Sequence, residues 1–266
     1  MNQVVIEGLG ARHGAAEVLH QVDLSIAKGQ VTVIAGPNGC GKSTLLRCIA
    51  RLHRPSAGTV RIGDEDVWRM RGRDAARRLA LLPQSPIAPE GITVMELVRY
   101  GRHPHQGLFR QWSRDDERAV QAALEETGTA AMANRRMDQL SGGQRQRCWL
   151  AMVLAQETPL VLLDEPTSML DLGHQIEVLE LVRTLSRAGR SIVMVLHDLA
   201  AAARYADTLV AMKGGSLVAS GCPRKVVTTA LVRKLYGVEA DILISPSDAA
   251  PLVVPRCGHG AALKTG

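Results

Sequence analysis

Apolar and polar positions divide the chain into three kinds of stretch. In residues 2–35, VVIEGL and VDLSIAKG alternate apolar and polar side chains, the pattern of strands with one buried face, with a turn at Lys28-Gly29. Val31 to Gly36 is a short, β-branched apolar run closed by Gly-Pro-Asn-Gly, which predicts a buried strand. Lys42 to Ala50 places Leu45, Leu46 and Ile49 on one helical face, and TVRIGDEDV predicts two strands turning at Gly63-Asp64. From about residue 91 the pattern becomes helical. Thr93 to Glu96 has the form of a capping box, Ser113 caps a second helix ending near Gly128, and Ser141-x-x-Gln144 opens a third that ends before Pro159. Residues 91–153 therefore read as a helical insertion in an α/β core.

The core resumes with two apolar strands, Leu160 to Pro166 and Ser191 to Asp198, separated by an amphipathic helix over 174–187. Strands alternating with helices predict a largely parallel sheet covered on both faces. After residue 240, apolar pieces separated by Pro246, Pro251 and Pro255 read as edge strands, and residues 257–266 as a frayed tail.

Composition narrows the function classes. The chain has 266 residues, 46% of them hydrophobic, which excludes disorder, and no apolar run approaches the roughly 18 residues of a membrane span. The start, MNQVVIEG, has no signal-peptide pattern. Five cysteines (40, 48, 148, 222 and 257) with no CxxC pair fit reduced thiols better than a disulfide framework or a zinc site. The formal charge of +6 admits an anionic partner, whereas an aromatic content of 3% argues against single-strand nucleic-acid binding, which needs rings to stack bases.

Two glycine-rich segments carry the chemistry. Gly36-Pro37-Asn38-Gly39-Cys40-Gly41-Lys42-Ser43 fits GxxxxGK[ST] between a strand and a helix. Its backbone amides can curl around phosphate oxygens, Lys42 can reach the β/γ-phosphates and the Ser43 hydroxyl can hold Mg²⁺. Asp164 and Glu165 end an apolar strand, where the carboxyl end of a parallel sheet places ligands; Asp164 is set to reach Mg²⁺ and Glu165 to polarise a water. Leu140-Ser141-Gly142-Gly143-Gln144 is a second capped helix start with open backbone donors, hence a second anion site.

GPNGCGKS, LSGGQRQR and LVLLDEP, in this order and spacing, resemble the nucleotide-binding subunit of an ATP-binding cassette (ABC) transporter over nearly the whole chain. Gln84 matches the family's Q-loop, Ser168-Met169-Leu170-Asp171 its D-loop, with Met169 where Ala is commoner, and His197 its H-loop. The resemblance implies a P-loop NTPase (RecA-like) core. Residues 1–90 would hold a β-subdomain and the first part of the core, 91–153 the helical signature subdomain, 154–240 the rest of the core and 241–266 C-terminal strands and tail. It implies ATP and Mg²⁺ as ligands and a head-to-tail homodimer with ATP sandwiched between subunits. Gly36 to Thr44 and Asp164 would act from one subunit and Ser141, Gly142, Gly143 and Gln144 from the other. Glu165 would then be the general base, His197 the switch at the γ-phosphate, and Gln84 a sensor of Mg²⁺ that relays closure to the membrane subunit.

The family usually stacks adenine on an aromatic in an early loop. Here that register holds Arg12-His13-Gly14, so His13 or the Arg12 plane substitutes, or His13 is a solvated turn residue. Cys40, beside Lys42 and backbone donors, is expected to favour thiolate, with a small filler as the alternative. Tyr100 to Gln106 (YGRHPHQ), Gly221-Cys222-Pro223 … Tyr236-Gly237 and Asp171 to Gln175 (DLGHQ) resemble ATPases of iron-chelate, haem and cobalamin importers. Haem is the first expectation for the cargo, ferric siderophore or cobalamin the second. His103-x-His105 lacks clustered partners and reads as an exposed or docking loop rather than a metal ligand, and Arg69 to Arg78 as a solvated face with partial helical character. The partners implied are two polytopic permease subunits, docked through residues 85–112, and indirectly a periplasmic substrate-binding protein, with the ATPase at the cytoplasmic face of a bacterial inner membrane. A non-transport ABC protein acting on nucleic acid, or a catalytically dead regulatory cassette, is the competing class.

Overall fold

The structure, a computed structural model, describes residues 2–107, 112–168 and 170–256. The alternating N-terminal segments form β1 (Asn2–His13) and β2 (Ala16–Ala27), followed by the uniformly buried β3 (Val31–Ala35) and α1 (Lys42–Ile49). Then come β4 (Ala57–Ile62), β5 (Glu65–Asp66), α2 (Gly72–Ala76), β6 (Leu79–Leu82), α3 (Val94–Tyr100), α4 (Arg114–Glu126) and α5 (Gly142–Ala155). The chain continues through β7 (Leu160–Asp164), α6 (Leu172–Arg187), β8 (Ser191–Val195), α7 (Leu199–Tyr205), β9 (Thr208–Lys213) and β10 (Ser216–Gly221). It closes with α8 (Pro223–Val226), α9 (Thr229–Tyr236), β11 (Ala240–Ile244) and β12 (Pro251–Pro255).

A six-stranded sheet in the order β10-β9-β3-β8-β7-β6 forms the centre. Its strands are parallel except β10, which pairs antiparallel with β9. Both faces are covered, as strand–helix alternation predicts. Val33, Leu163, Ile192 and Met194 pack on one side with residues of α5, α6 and α7. Ile34, Leu162, Val193 and Val195 pack on the other with Leu45, Leu46 and Ile49 of α1 and with the antiparallel sheet β2-β1-β4-β5. Alternate residues of one strand thus serve two cores, which is why these strands read as unbroken apolar runs.

α3, α4 and α5 pack together and share the first of these cores. All three helix starts are capping boxes: Thr93 with Glu96, Ser113 with Asp116 and Ser141 with Gln144. The GRHPH stretch clasps this layer to the sheet. Arg102, with its side chain 4% exposed, donates through Nε to Asp116 (2.9 Å) and through a terminal nitrogen to Glu157 (2.6 Å) and the Ala155 carbonyl (2.7 Å). His105 Nε2 lies 2.9 Å from the Gln156 carbonyl, and Gln156 in turn donates to the carbonyls of Ala76 and Leu79. Asp116 therefore both caps α4 and neutralises a buried guanidinium. Burial opposes its ionisation, but the bonds from Ser113 and Arg102 prevail and hold the carboxyl below its usual range.

β11 and β12 are the two edge strands of a sheet of their own: they pair only with each other, Ala240 opposite Pro255 and Ile244 opposite Pro251. Prolines at both ends of β12 supply no N–H with which to extend a larger sheet. In the Arg69–Arg78 run only Gly72–Ala76 is helical, and Leu79 begins β6; most of the arginines are exposed, but Arg77 bonds the Pro104 carbonyl and Arg78 pairs with Glu65. The expected tail (257–266) and Met169 lie outside the described residues.

Candidate active site

Four neighbouring strands deliver the candidate residues to one edge. The glycine-rich loop follows β3, His197 follows β8, Asp164 and Glu165 end and follow β7, and Gln84 follows β6; in the sheet these strands lie side by side as β3-β8-β7-β6. Residues more than a hundred positions apart meet because parallel strands all point their carboxyl ends at the same crevice. The crevice has a volume of about 520 Å³ and is lined by Asn38 to Thr44, Gln84, Glu165 and His197, with His13 and Val18 from the β1–β2 hairpin.

The loop is shaped by its glycines. Gly36 has φ 153°, and a Cβ there would collide with the Met212 carbonyl of β9, so only glycine lets the chain leave β3 in this direction. Gly41 precedes α1 and supplies no side-chain cap, so the first-turn amides of α1 face the crevice unfilled by any side chain. Lys42 is 5% exposed, and its Nζ bonds the carbonyls of Gly36 (2.9 Å) and Pro37 (3.0 Å), which holds the ammonium inside the loop.

Across the loop, the Ser43 hydroxyl donates to Asp164 Oδ1 at 2.8 Å. Asp164 is 2% exposed; burial pushes its carboxyl up, against the pull of the Ser43 bond and of Arg47 and Lys42. A divalent cation at this hydroxyl–carboxylate pair would reverse that penalty, and an all-oxygen donor set suits Mg²⁺. Glu165 is held at both oxygens. His197 Nε2 lies 2.5 Å from Oε1, and the Gln84 amide donates to Oε2 at 2.6 Å. Glu165 is 7% exposed and sits at φ 53°, a left-handed conformation uncommon for a residue with a side chain. The turn behind it is fixed by Ser168, whose amide and hydroxyl both bond the Glu165 carbonyl.

His13 lines the crevice, whereas the Arg12 guanidinium is occupied by the Ala15 carbonyl. His13 Nε2 is 3.3 Å from the Thr44 hydroxyl, and its ring stacks at a tilt on His53, 4.5 Å between centroids. His53 carries no motif and was not legible in the sequence. Its buried Nε2 has no hydrogen-bond partner. Cys40 departs from expectation: it is 3% exposed, and burial pushes its thiol up despite the nearby Lys42, so the small-filler alternative fits it and the thiolate does not. Cys48 and Cys148 are likewise pushed up by burial, to about 12 and about 11.

Ser141, Gly142, Gly143 and Gln144 are not part of the crevice. They open α5, with Ser141 and Gly142 exposed and Gly143 buried against α6. The chain thus presents one phosphate cradle inside its crevice and a second helix start outside it.

The ABC transporter family model matches residues 19–168. A ferric enterobactin transport ATP-binding protein of Escherichia coli is 47% identical over 250 residues, covering 94% of this chain and 92% of that protein. An iron(3+)-hydroxamate import ATP-binding protein of Bacillus subtilis is 44% identical over 253 residues, covering 95% and 94%. A solved ABC transporter described as of metal-chelate type, in an inward-facing conformation, superposes with a TM-score of 0.84 at 27% identity over 97% of this chain and 98% of that one. With the P-loop fold, the site geometry and these matches in agreement, the chain belongs to the ABC transporter family, as an ATP-binding subunit.

Proposed function

We propose that this chain is the ATP-hydrolysing subunit of an importer for a ferric siderophore-type chelate. The observation that carries the chemistry is the double hold on Glu165 at the mouth of the crevice, directly beside the Ser43–Asp164 pair. Lys42 and the amides of α1 bind the β- and γ-phosphates, while Ser43, Asp164 and Gln84 hold Mg²⁺, which when bound screens phosphate charge. Glu165 takes the proton of the attacking water, and His197 holds that carboxylate and reaches the γ-phosphate. Gln84 bonds the base and lines the same crevice as Ser43, and so would report occupancy of the metal position to the loop that follows it. Ser141, Gly142, Gly143 and Gln144 complete the crevice of a second copy in a head-to-tail dimer. Their exposure at a helix start outside their own crevice supports that arrangement, as does the likeness to a bacterial cassette solved as a dimer, at 25% identity and TM-score 0.73.

For the cargo, the relatives name ferric enterobactin and ferric hydroxamate; haem, the first expectation from sequence, finds no support among them. The permease would dock around residues 85–107 and Trp112. Ile87 is 91% exposed, Tyr100 58%, and Trp112 stands under Arg99. Among the described residues no helix is long and apolar enough to cross a membrane, so attachment to a bacterial inner membrane at its cytoplasmic face would come through two permease subunits. A periplasmic substrate-binding protein would act indirectly. Co-purification with the permease, followed by ATPase assays with binding protein loaded with ferric siderophore or with haem, tests the reading. Stimulation by the ferric chelate supports it, and stimulation by haem alone refutes the cargo.

A further inference from the structure

The DLGHQ stretch, used above only as a resemblance, makes a specific contact. Gly143, the second residue of α5, faces the imidazole of His174 so closely that a Cβ there would fall inside contact distance of the ring carbons. The ring is not free to retreat. Asp171 caps α6 by accepting from the His174 amide at 2.9 Å, and the same oxygen lies 2.8 Å from His174 Nδ1. One turn further along both helices, Arg147 of α5 pairs with Glu177 of α6 at 3.5 Å, a second point at which the two helices meet. The start of α6 is itself tied to the turn after the candidate base. The Gln175 side-chain Nε2 donates to the Leu170 carbonyl at 2.9 Å, the Leu170 backbone N–H to the Thr167 carbonyl, and Ser168 to the Glu165 carbonyl. A chain of direct contacts therefore runs from Glu165 through the turn, Asp171 and His174 to the backbone of Gly143.

We infer that His174 is a positioning residue: it fixes the first turn of α5 to the turn that follows Glu165. The grip of Ser141, Gly142 and Gly143 on a second copy's nucleotide then depends on the state of this copy's own hydrolytic turn. The physical basis is that first-turn amides have no intrahelical partner, and their direction is set only by where the helix start is held. A glycine against a ring held by Asp171 leaves the backbone of α5 in direct contact with a side chain anchored at the start of α6, a point contact through which a displacement of one helix start reaches the other. Gly143 is required for that approach, and a side chain there would push α5 off α6.

The inference rests on the sandwich reading above, and its test separates the two. In the full-length chain, the Glu165→Gln variant is used to accumulate the ATP-bound dimer, followed by light scattering against ATP and protein concentration. Adding His174→Ala should weaken that dimer about tenfold. In the otherwise unaltered chain it should lower kcat to a similar degree, while nucleotide affinity of the single chain, measured by titration, stays within about twofold. Gly143→Ala should abolish the dimer, and combining it with His174→Ala should restore dimer formation to about the level of His174→Ala alone. A dimer and kcat unaffected by His174→Ala overturn the coupling, as does a double variant no better than Gly143→Ala. Failure of the Glu165→Gln parent to dimerise with ATP at any concentration instead overturns the sandwich itself, and the coupling with it.

Discussion

Two glycine-rich helix starts in this chain share a composition and differ in what completes them. α1 begins after Gly41 with no side-chain cap, while every other helix of seven or more residues is capped by a Thr, Ser or Asp side chain. Its loop is folded into the crevice, with Cys40, Gly41 and Lys42 buried and the Lys42 ammonium bonded to the loop's own carbonyls. α5 begins with a complete capping box, and its Ser141 and Gly142 stand exposed and away from the crevice. An uncapped, buried start surrounded by Lys42, Ser43 and Asp164 needs only a phosphate to satisfy it. A capped, exposed start with two adjacent glycines is already stable as a helix and is shaped to be approached from outside. The same residue types thus make a cradle that is finished within one chain and an exposed surface that, on the sandwich proposal, a second copy's nucleotide completes.

Removing the base should show the largest effect. Glu165→Gln keeps the shape of the side chain and the Gln84 and His197 neighbours, but removes the proton acceptor. Turnover should fall on the order of 10²–10⁴-fold, measured as phosphate release, with ATP still bound. Next comes a change confined to the exposed start. A side chain at Gly142 meets nothing within 4 Å, so Gly142→Asp leaves the fold intact while placing a carboxylate against the incoming phosphate. Turnover should fall on the order of 10²-fold, as for loss of an oxyanion donor, with single-chain ATP affinity unchanged. Equal loss of single-chain affinity would erase the distinction between the two starts.

Much of this contrast was legible in the chain because it is local. The strand–glycine loop–helix pattern, the Asp-Glu at a strand end and the Ser-x-x-Gln box each declare themselves within ten residues. What escaped was made by distant approach. β6 and β9 are short runs that join the sheet through β7 and β3, far along the chain, β10 enters it only through β9, and α7 to α9 are too brief to show a period. The collision that reserves Gly36 for glycine comes from Met212, and the ring behind His13 comes from His53. Arg102 stands out in the sequence only as part of the YGRHPHQ resemblance, and nothing local reveals that it is buried against Asp116. For Cys40 the sequence leaves thiolate and small filler both open, because proximity to Lys42 is visible in it and burial is not.

The Arg102 clasp, at the opposite end of α5 from its exposed start, gives a smaller, pH-dependent effect. Asp116→Asn removes a charged acceptor from Arg102 and should cost about 1.5–3 kcal/mol, read by denaturant unfolding at pH 7. Because the folded carboxyl is held below its unfolded value, its contribution is fully present above about pH 4. It is lost as pH falls through the depressed folded value, so the gap between parent and variant should close in acid. A gap that widened there would show that the charge of Asp116 contributes nothing.

The smallest effect is expected at the rim of the buried start, where His13 is proposed to stack on adenine. His13 is exposed, lines the crevice and is backed by His53, so it offers a ring face whose other side is already packed. A stacked ring pair contributes about 0.5–1.5 kcal/mol beyond area burial, so His13→Ala should weaken ATP binding roughly two- to tenfold in titration calorimetry. His13→Tyr should restore it, since a larger ring supplies the same face. The Thr44 hydroxyl, 3.3 Å from Nε2, is the other contact at stake. If the effect ran through that bond, His13→Tyr would fail to rescue and Thr44→Val would reproduce the loss. Recovery with tyrosine and indifference to Thr44→Val would assign the contact to the ring. An unchanged affinity in His13→Ala would return His13 to the solvent and leave the buried start binding its nucleotide by phosphate alone.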